Sequence, residues 1–529
     1  MAALALMAAA ALMSHLIGTL PASLALSALA MIALAMLMLL SGAAAPRRGL
    51  LLRDAPGFVA FNIGWVVAGV LNSVVAAIQV FVPEWTDGDW IATSALAGRA
   101  VGNLRQPNHL SSLLLWSTIA LIALFELRLL ARAAVVALMA VLVFAVVLTA
   151  SRTGVVGVAL LAFWGLVDRH LSRSARGLLL ATPLLYAASW LLMSAWADAA
   201  VHTFGGQQRL AEGDLSASRF GIWADTLALI RAQPWAGVGF GEFNFAWSLS
   251  EMPQRPVAFF DHAHNLPLHL AAELGLPLAA AVMALLCWGL VAAWRRSAGL
   301  AGDEAVAARC ATAMLVMIGL HSLLEYPLWY AYFLLPAAWA WGSALAPASA
   351  DPAAPGTAGS ASRAAGALVA AGAAAVIAAA LSVMDFGRMQ RIFSTADGAA
   401  PLTERIADGQ RSPLFAHHAH YAAATVAEAP ASAMASFDIA AHFLLDTRLM
   451  TAWAQAYADA GDLARAVHLA ARLREFRNPQ SEAFFAPCAA ASAPQGDTLF
   501  QCQVMAAPAA PATAASAPLA WRDFVRADK

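Results

Sequence analysis

Runs of about twenty apolar residues follow one another along most of this 529-residue chain, separated by short arginine-bearing turns. A helix of that length covers about 30 Å, the thickness of a bilayer's hydrocarbon core. A soluble core cannot absorb such runs, because a globule must still present polar surface to water. The chain is 61% hydrophobic and 12% charged, against about 25% charged in soluble domains. These features predict an all-α polytopic membrane protein. The net charge of −1 leaves no basic field, and nothing suggests nucleic acid.

The apolar runs and their charged or Pro/Gly breaks predict about eleven spans, at 3–20, 22–43, 58–82, 110–127, 134–150, 154–168, 178–197, 267–294, 310–325, 328–346 and 365–384. Pro267 and Pro277 blur the start of the eighth. Met1 to Leu20 has no basic n-region and another apolar run follows at once, which argues for a first pair of helices rather than a cleaved signal peptide. With Met1 in the cytoplasm, the short inner loops collect Arg47, Arg48 and Arg53, Arg128 and Arg132, Arg169, Arg173 and Arg176, Arg295, Arg296 and Arg309, and Arg363. The positive-inside rule selects that orientation.

Two soluble regions then face outward: a large loop from about 198 to 265, and a tail from 385 to 529. The expected division is a transmembrane catalytic domain over 1–384 and a C-terminal helical domain over 385–529, joined through an Ala/Pro/Gly/Ser-rich linker near 347–362 and one last helix. In the tail, Gly461 and Asp462 interrupt two alanine-rich helices, much like one tetratricopeptide unit.

Polar groups at helix ends in a membrane are costly, so a shared side points to a shared site. On this topology five polar stretches face outward: Arg105-Gln106-Pro107-Asn108-His109, Ser151-Arg152-Thr153, Arg219 to Trp223, Asp261-His262-Ala263-His264-Asn265, and His321 to Pro327 with Glu325 inside it. Arg105, Arg152 and Arg219 would suit a diphosphate, which guanidinium grips bidentately. Against this, Arg152 could cap a tight turn, and Arg105 and Arg219 could snorkel or pair with Glu84, Asp87, Asp89, Glu212 or Asp214. For His264, histidine's ordinary pKa of about 6.5 allows a neutral ring to take a proton from a hydroxyl. The alternative is an interfacial histidine bonded to a backbone carbonyl. His262 and His264 alternate, so one of them is expected to point inward, and without well-spaced carboxylates the pair is not read as a metal site.

Gly237-Val-Gly-Phe-Gly241 lacks a dinucleotide loop's strand–helix setting and reads as a surface turn. His417, His418 and His420 read as a solvated helix face. Cys287 and Cys310 lie in or beside apolar segments, whereas Cys488 and Cys502 could pair in an oxidising compartment.

These stretches resemble the superfamily of O-antigen ligases, O-antigen polymerases and O-oligosaccharyltransferases of bacterial inner membranes. The likeness runs through GNLRQPNHLSSLL (102–114), LTASRTG (148–154), SRFGIWADTLALIRAQPWAGVGFGEF (218–243), DHAHNLPLHLAAELGLPL (261–278) and HSLLEYPLWYAYF (321–333). The last of these, together with DFGRMQRIF, RLMTAWAQAYADAGDLARAVHLAARLREFRNP, FQCQ and WRDF in the tail, is most like the pilin-type protein-glycosylating branch. The resemblance implies a GT-C-like bundle and a metal-independent glycosyltransferase without cofactor. Its donor is an undecaprenyl-diphosphate-linked oligosaccharide and its acceptor a hydroxyl on the periplasmic side. His264 matches the family's essential histidine; Arg219, and after it Arg152 and Arg105, match arginines that engage the diphosphate. Gln106, Asn108, Asn265 and Glu325 match motif positions. Relatives usually carry more N-terminal helices than the seven spans read here before the large loop, and an even difference preserves the orientation.

The expected function is protein O-oligosaccharyl transfer, en bloc, to Ser or Thr of a pilin-like or other periplasmic acceptor protein. Transfer to lipid A core by an O-antigen ligase is the nearest alternative, and polymerisation of lipid-linked repeats the next. A lipid-linked glycan transporter is the rival of a different class; it would place ionisable groups near the bilayer midplane.

Overall fold

In the computed structural model the described residues are 1–45, 57–200, 203–207, 215–252, 255–257, 259–346, 358–394, 398–490, 499–506 and 519–525. Arg47, Arg48, Arg53, Arg209, Glu212, Asp214 and most of the 347–362 linker lie outside them. Among the described residues every regular element is helical, and the protein is polytopic and membrane-bound. The helices over the apolar runs are α1 (Ala2–Leu16), α2 (Ala22–Ala44), α3 (Gly57–Phe81), α4 (Pro107–Glu126), α5 (Arg132–Leu148), α6 (Arg152–Val167), α7 (Arg173–Ala200), and then, past the large loop's α8 (Leu215–Ala232) and α9 (Phe243–Leu249), α10 (Leu266–Gly299), α11 (Gly302–Ser322), α12 (Ala331–Leu345) and α13 (Ala358–Ile392). Among the described residues seven helices are long and apolar enough to cross a membrane, in α2, α3, α4, α7, α10, α11 and α13; α1, α5 and α6 are shorter apolar helices.

The chain divides into two compact units that interleave along the sequence: residues 1–33, 215–284 and 371–529 in the first, 34–214 and 285–370 in the second. The second unit is built around α4, which is buried from Pro107 to Leu124 along almost every face. Helices α3, α5, α6 and α11 pack on it. Close approach is made by glycine, since a Cβ at Gly69 or Gly157 would run into Ser117 or Leu115 of α4. The hydroxyls this buries are satisfied at once: Ser117 donates to the Trp65 carbonyl and Thr118 to the Leu114 carbonyl, while the Trp116 ring N–H reaches the Met314 carbonyl.

In the first unit the tail packs on the large loop. Its helices are α14 (Leu402–Gly409), α15 (Ala416–Val426), α16 (Met434–Phe443), α17 (Thr447–Asp459), α18 (Leu463–Phe476), α19 (Pro479–Ala490) and α20 (Phe500–Ala506). Gly461, at φ +81°, turns the chain between α17 and α18, and the Asp462 side chain accepts the Arg465 N–H to cap α18. The expected break between two alanine-rich helices is present as this hairpin. Cys488 and Cys502 are joined by a disulfide between α19 and α20.

The three tail histidines do not form a solvated face. His417 is buried with Nδ1 3.1 Å from Ser23 Oγ, and His420 Nδ1 lies 3.1 Å from Ser436 Oγ. Burial pushes His417 down to about 3 and lowers His418 and His420 as well. The misreading has a simple cause: alanine-rich helices give little contrast between faces, so polarity alone does not show which side is covered.

Candidate active site

In the second unit three of the polar stretches come together at one end of the bundle. Glu325, 4% exposed, accepts from Asn108 Nδ2 at 2.8 Å, and the Asn108 carbonyl oxygen Oδ1 accepts from Ser151 Oγ at 2.7 Å. Ser151 also takes the Gly154 N–H, and so caps α6. One step deeper, His109 Nδ1 lies 2.7 Å from Tyr332 OH and Ser112 Oγ 2.8 Å from His321 Nδ1. Asn108 is therefore the joint that ties the starts of α4 and α6 to the segment after α11.

Arg152 follows the cap as the first residue of α6 and is exposed. Ser151, rather than Arg152, does the capping. Gln106 caps α4 by accepting the His109 N–H at 2.8 Å. Arg105, also exposed, has φ +57° and donates from Nη2 to the Gly88 carbonyl at 2.7 Å. The Asp87 carboxylate beside it is taken up by the N–H groups of Asp89, Trp90 and Ile91. This loop hangs on one residue that sequence reasoning passed over. Gln79 of α3 accepts from the Val101 and Gly102 N–H groups and donates to the Ala92 carbonyl. A lone Gln near the end of an apolar run was the available signal, since an amide there is costly without partners.

In the first unit, Trp223 of α8 donates to the Ala263 carbonyl at 3.0 Å and so fixes the 261–265 turn. Arg219 stands one helical turn before Trp223 on α8, on the same face. His264 itself has φ +50°, a left-handed conformation that side chains other than glycine adopt rarely. Its ring stands edge-on to Phe260, 5.1 Å between centroids. Asn265 then caps α10, accepting the Leu268 N–H at 3.1 Å. His262 turns the other way, stacking on His269 with Nδ1 3.1 Å from Asp261 Oδ1. Burial would raise the Asp261 carboxyl, but the adjacent His262 ring outweighs it and holds the group below its ordinary range; burial lowers His262 against the pull of Asp261. His269 accepts the Ala263 N–H on Nδ1, which leaves its proton on Nε2, 3.2 Å from Glu273 Oε1. Two histidines and two carboxylates thus brace the turn that presents His264.

The GVGFG stretch braces the same region. Pro277 has no N–H for the Glu273 carbonyl, and α10 breaks at Gly275, φ +74°. The exposed carbonyls are met from the loop, Val238 N–H donating to Ala272 and Gly239 N–H to Glu273, each at 2.9 Å. A Cβ at Gly237 would strike the Glu273 carbonyl, so this approach requires glycine.

The tail holds the loop through buried polar pairs. Arg255, fully buried, reaches Glu475 of α18 at 3.2 Å, donates to the Ser250 carbonyl at 2.7 Å, and stacks over Trp247 and Phe476. His442 Nδ1 lies 2.6 Å from Glu242 Oε2. Burial pushes Arg255 down to about 10 against the pull of Glu475, and raises Glu475 against the pull of Arg472 and Arg255. Both shifts run toward neutrality, so desolvation outweighs pairing, and removing one partner costs more than the pair contributes. Glu475→Ala is expected to destabilise the full chain by about 3–5 kcal/mol, leaving a buried guanidinium without its carboxylate. Urea melts of the detergent-solubilised chain check this; an unchanged midpoint would contradict it.

Among the described residues no group of three or more His, Cys, Asp or Glu could hold a metal ion.

Residues 134–283 match the family described as O-Antigen ligase, residues 310–487 the C-terminal region of the virulence factor membrane-bound polymerase family, and residues 100–125 the protein glycosylation ligase family. Among curated proteins, a general O-oligosaccharyltransferase of Acinetobacter baylyi is 30% identical over 253 residues, 45% of this chain and 42% of that protein. A ComP-specific O-oligosaccharyltransferase of the same organism is 27% identical over 288 residues, 52% of this chain and 49% of that protein. The chain therefore spans less than half the length of either relative. No solved structure matches it. With three family matches on successive segments and two relatives of one kind, the chain is similar to the superfamily of O-antigen ligases and O-oligosaccharyltransferases, and most like its pilin-type protein-glycosylating branch.

Proposed function

We propose that this protein is an O-oligosaccharyltransferase of the bacterial inner membrane. It moves a glycan en bloc from undecaprenyl diphosphate to Ser or Thr of a periplasmic or pilin-like protein. The observation that carries the reading is the 261–265 turn: His264 is held at positive φ by a braced set of side chains, and Arg219 stands one turn before the tryptophan that anchors it. In the proposed step the acceptor oxygen bonds to the anomeric carbon and the bond from that carbon to the diphosphate oxygen breaks. The hydroxyl proton passes to His264. Undecaprenyl diphosphate leaves with its added charge met by Arg219, Arg152 and Arg105. These arginines accelerate the step to the extent that they bind the departing diphosphate more tightly than the ground state. Asn108 and Glu325, with Gln106 and Asn265, are positioning and donor-binding residues in this scheme.

In this reading the chain makes about eleven crossings, with a catalytic domain over 1–384 and a periplasmic helical domain over 385–529. The Cys488–Cys502 disulfide supports a tail in an oxidising compartment. Guanidinium supplies the positive charge in this scheme, so EDTA is expected to leave transfer by the purified enzyme within about twofold, and a strict divalent requirement would count against it. The deciding experiment is intact-mass analysis of periplasmic proteins, with and without this chain, in a host that makes a lipid-linked glycan. A glycan-sized mass increment on protein is expected. Glycan on lipid A core with none on protein assigns the ligase activity instead.

A further inference from the structure

We infer a binding site for an anionic phospholipid at the arginine-rich end of the second unit, away from the Asn108–Glu325 end. A cavity of about 330 Å³ opens there between α4, α6, the last turns of α10 and α11. Its walls are hydrocarbon, from Ile119, Leu160, Leu161 and Met317, and its mouth carries Arg169, His170 and Arg309. Phe163 and Trp294, more than half exposed, stand beside the opening. An aqueous solute has no use for such walls, whereas an acyl chain fits them and an interfacial tryptophan is a usual neighbour of a headgroup.

Charge selects the sign of that headgroup. The segments forming this end contain eight arginines, namely 128, 132, 169, 173, 176, 295, 296 and 309, against Glu126, Asp168, Asp303 and Glu304. The acid at the cavity is already engaged: Asp168 Oδ2 accepts from the Trp164 ring N–H and Oδ1 from the His170 backbone N–H. Arg309 is steadied by donating to the Ser297 carbonyl at 3.5 Å. A basic mouth over an apolar slot between membrane helices is the arrangement that takes a phosphodiester on its arginines and an acyl chain below. The occupant is a glycerophospholipid of the surrounding bilayer rather than a free phosphate, because most of the site's surface is apolar.

The test is native mass spectrometry of the full chain in mild detergent, titrated with phosphatidylglycerol or with phosphatidylcholine of the same acyl chains. The wild type should retain phosphatidylglycerol at least tenfold better. Arg169→Ala with Arg309→Ala should lower that retention by about thirty-fold, since each basic group near a headgroup contributes about a factor of five. Ala313→Trp, which fills the slot and leaves the arginines in place, should lower it too, with helical content unchanged by circular dichroism. Glycerol phosphate at matched concentration should not compete. Equal retention of the two lipids by the wild type overturns the inference without recourse to any variant. Full binding by Ala313→Trp, or displacement by glycerol phosphate, overturns the acyl-chain half of it.

Discussion

His264→Ala is expected to lower transfer about 10²–10⁴-fold, the range a positioned acid–base group contributes, while the protein still folds and inserts. The geometry allows a sharp version of this test. Residue 264 sits at φ +50°, so alanine inherits the strained backbone along with the lost ring. Glycine and asparagine tolerate that conformation much better. His264→Gly and His264→Asn should therefore fold at least as well as the alanine variant and be just as inactive. Imidazole added to the glycine variant should restore part of the rate if the ring acts as a proton acceptor. Robust turnover by all three variants would remove the catalytic assignment; loss of activity without imidazole rescue, together with a displaced 261–265 turn, would make His264 a positioning residue.

The second large effect is expected at Arg219. Arg219→Lys keeps the charge but loses the planar pair of N–H groups that grips a phosphate. A charge-assisted hydrogen bond contributes about 1.5–3 kcal/mol, so one lost contact predicts roughly a 10–100-fold fall in kcat/KM for the lipid-linked donor. If the contact strengthens as the diphosphate departs, the fall appears in kcat; if donor and transition state are held alike, it appears in KM. Full activity of the lysine variant would mean that only a positive charge is needed there. The helix is a sound place for such a group, because Trp223 one turn on is already fastened to the Ala263 carbonyl.

Much of the fold was legible because membrane helices announce themselves by length and apolarity, and a helix lies over each expected run. Crossing number was less legible, since α5 and α6 have apolar composition but only 17 and 16 residues. At the candidate site, topology put the stretches holding Asn108 and Glu325 on one side, but their 2.8 Å contact was not legible in the sequence. The topology offered no way to see the roles of Gln106, Ser151 and Asn265 as helix caps, because a cap depends on where the helix starts to within one residue. Glu242 with His442, and Arg255 with Glu475, were missed for a different reason. Each works through a partner distant in sequence, and a single chain carries no local trace of such pairings. His417 failed on the same ground, since its partner Ser23 lies 394 residues away.

The break in α10 carries one more lesson, about how such a chain can change over time. Because Pro277 cannot serve the Glu273 carbonyl, Gly239 does so from another segment, and the two now share a single hydrogen-bond ledger. Restoring an ordinary residue at 277 would supply a second claimant for an oxygen already engaged, and replacing Gly237 would bar the loop from approaching at all. The proline and the glycines are thus expected to be inherited as a set, so a lineage that drops one should be found to have rebuilt the other.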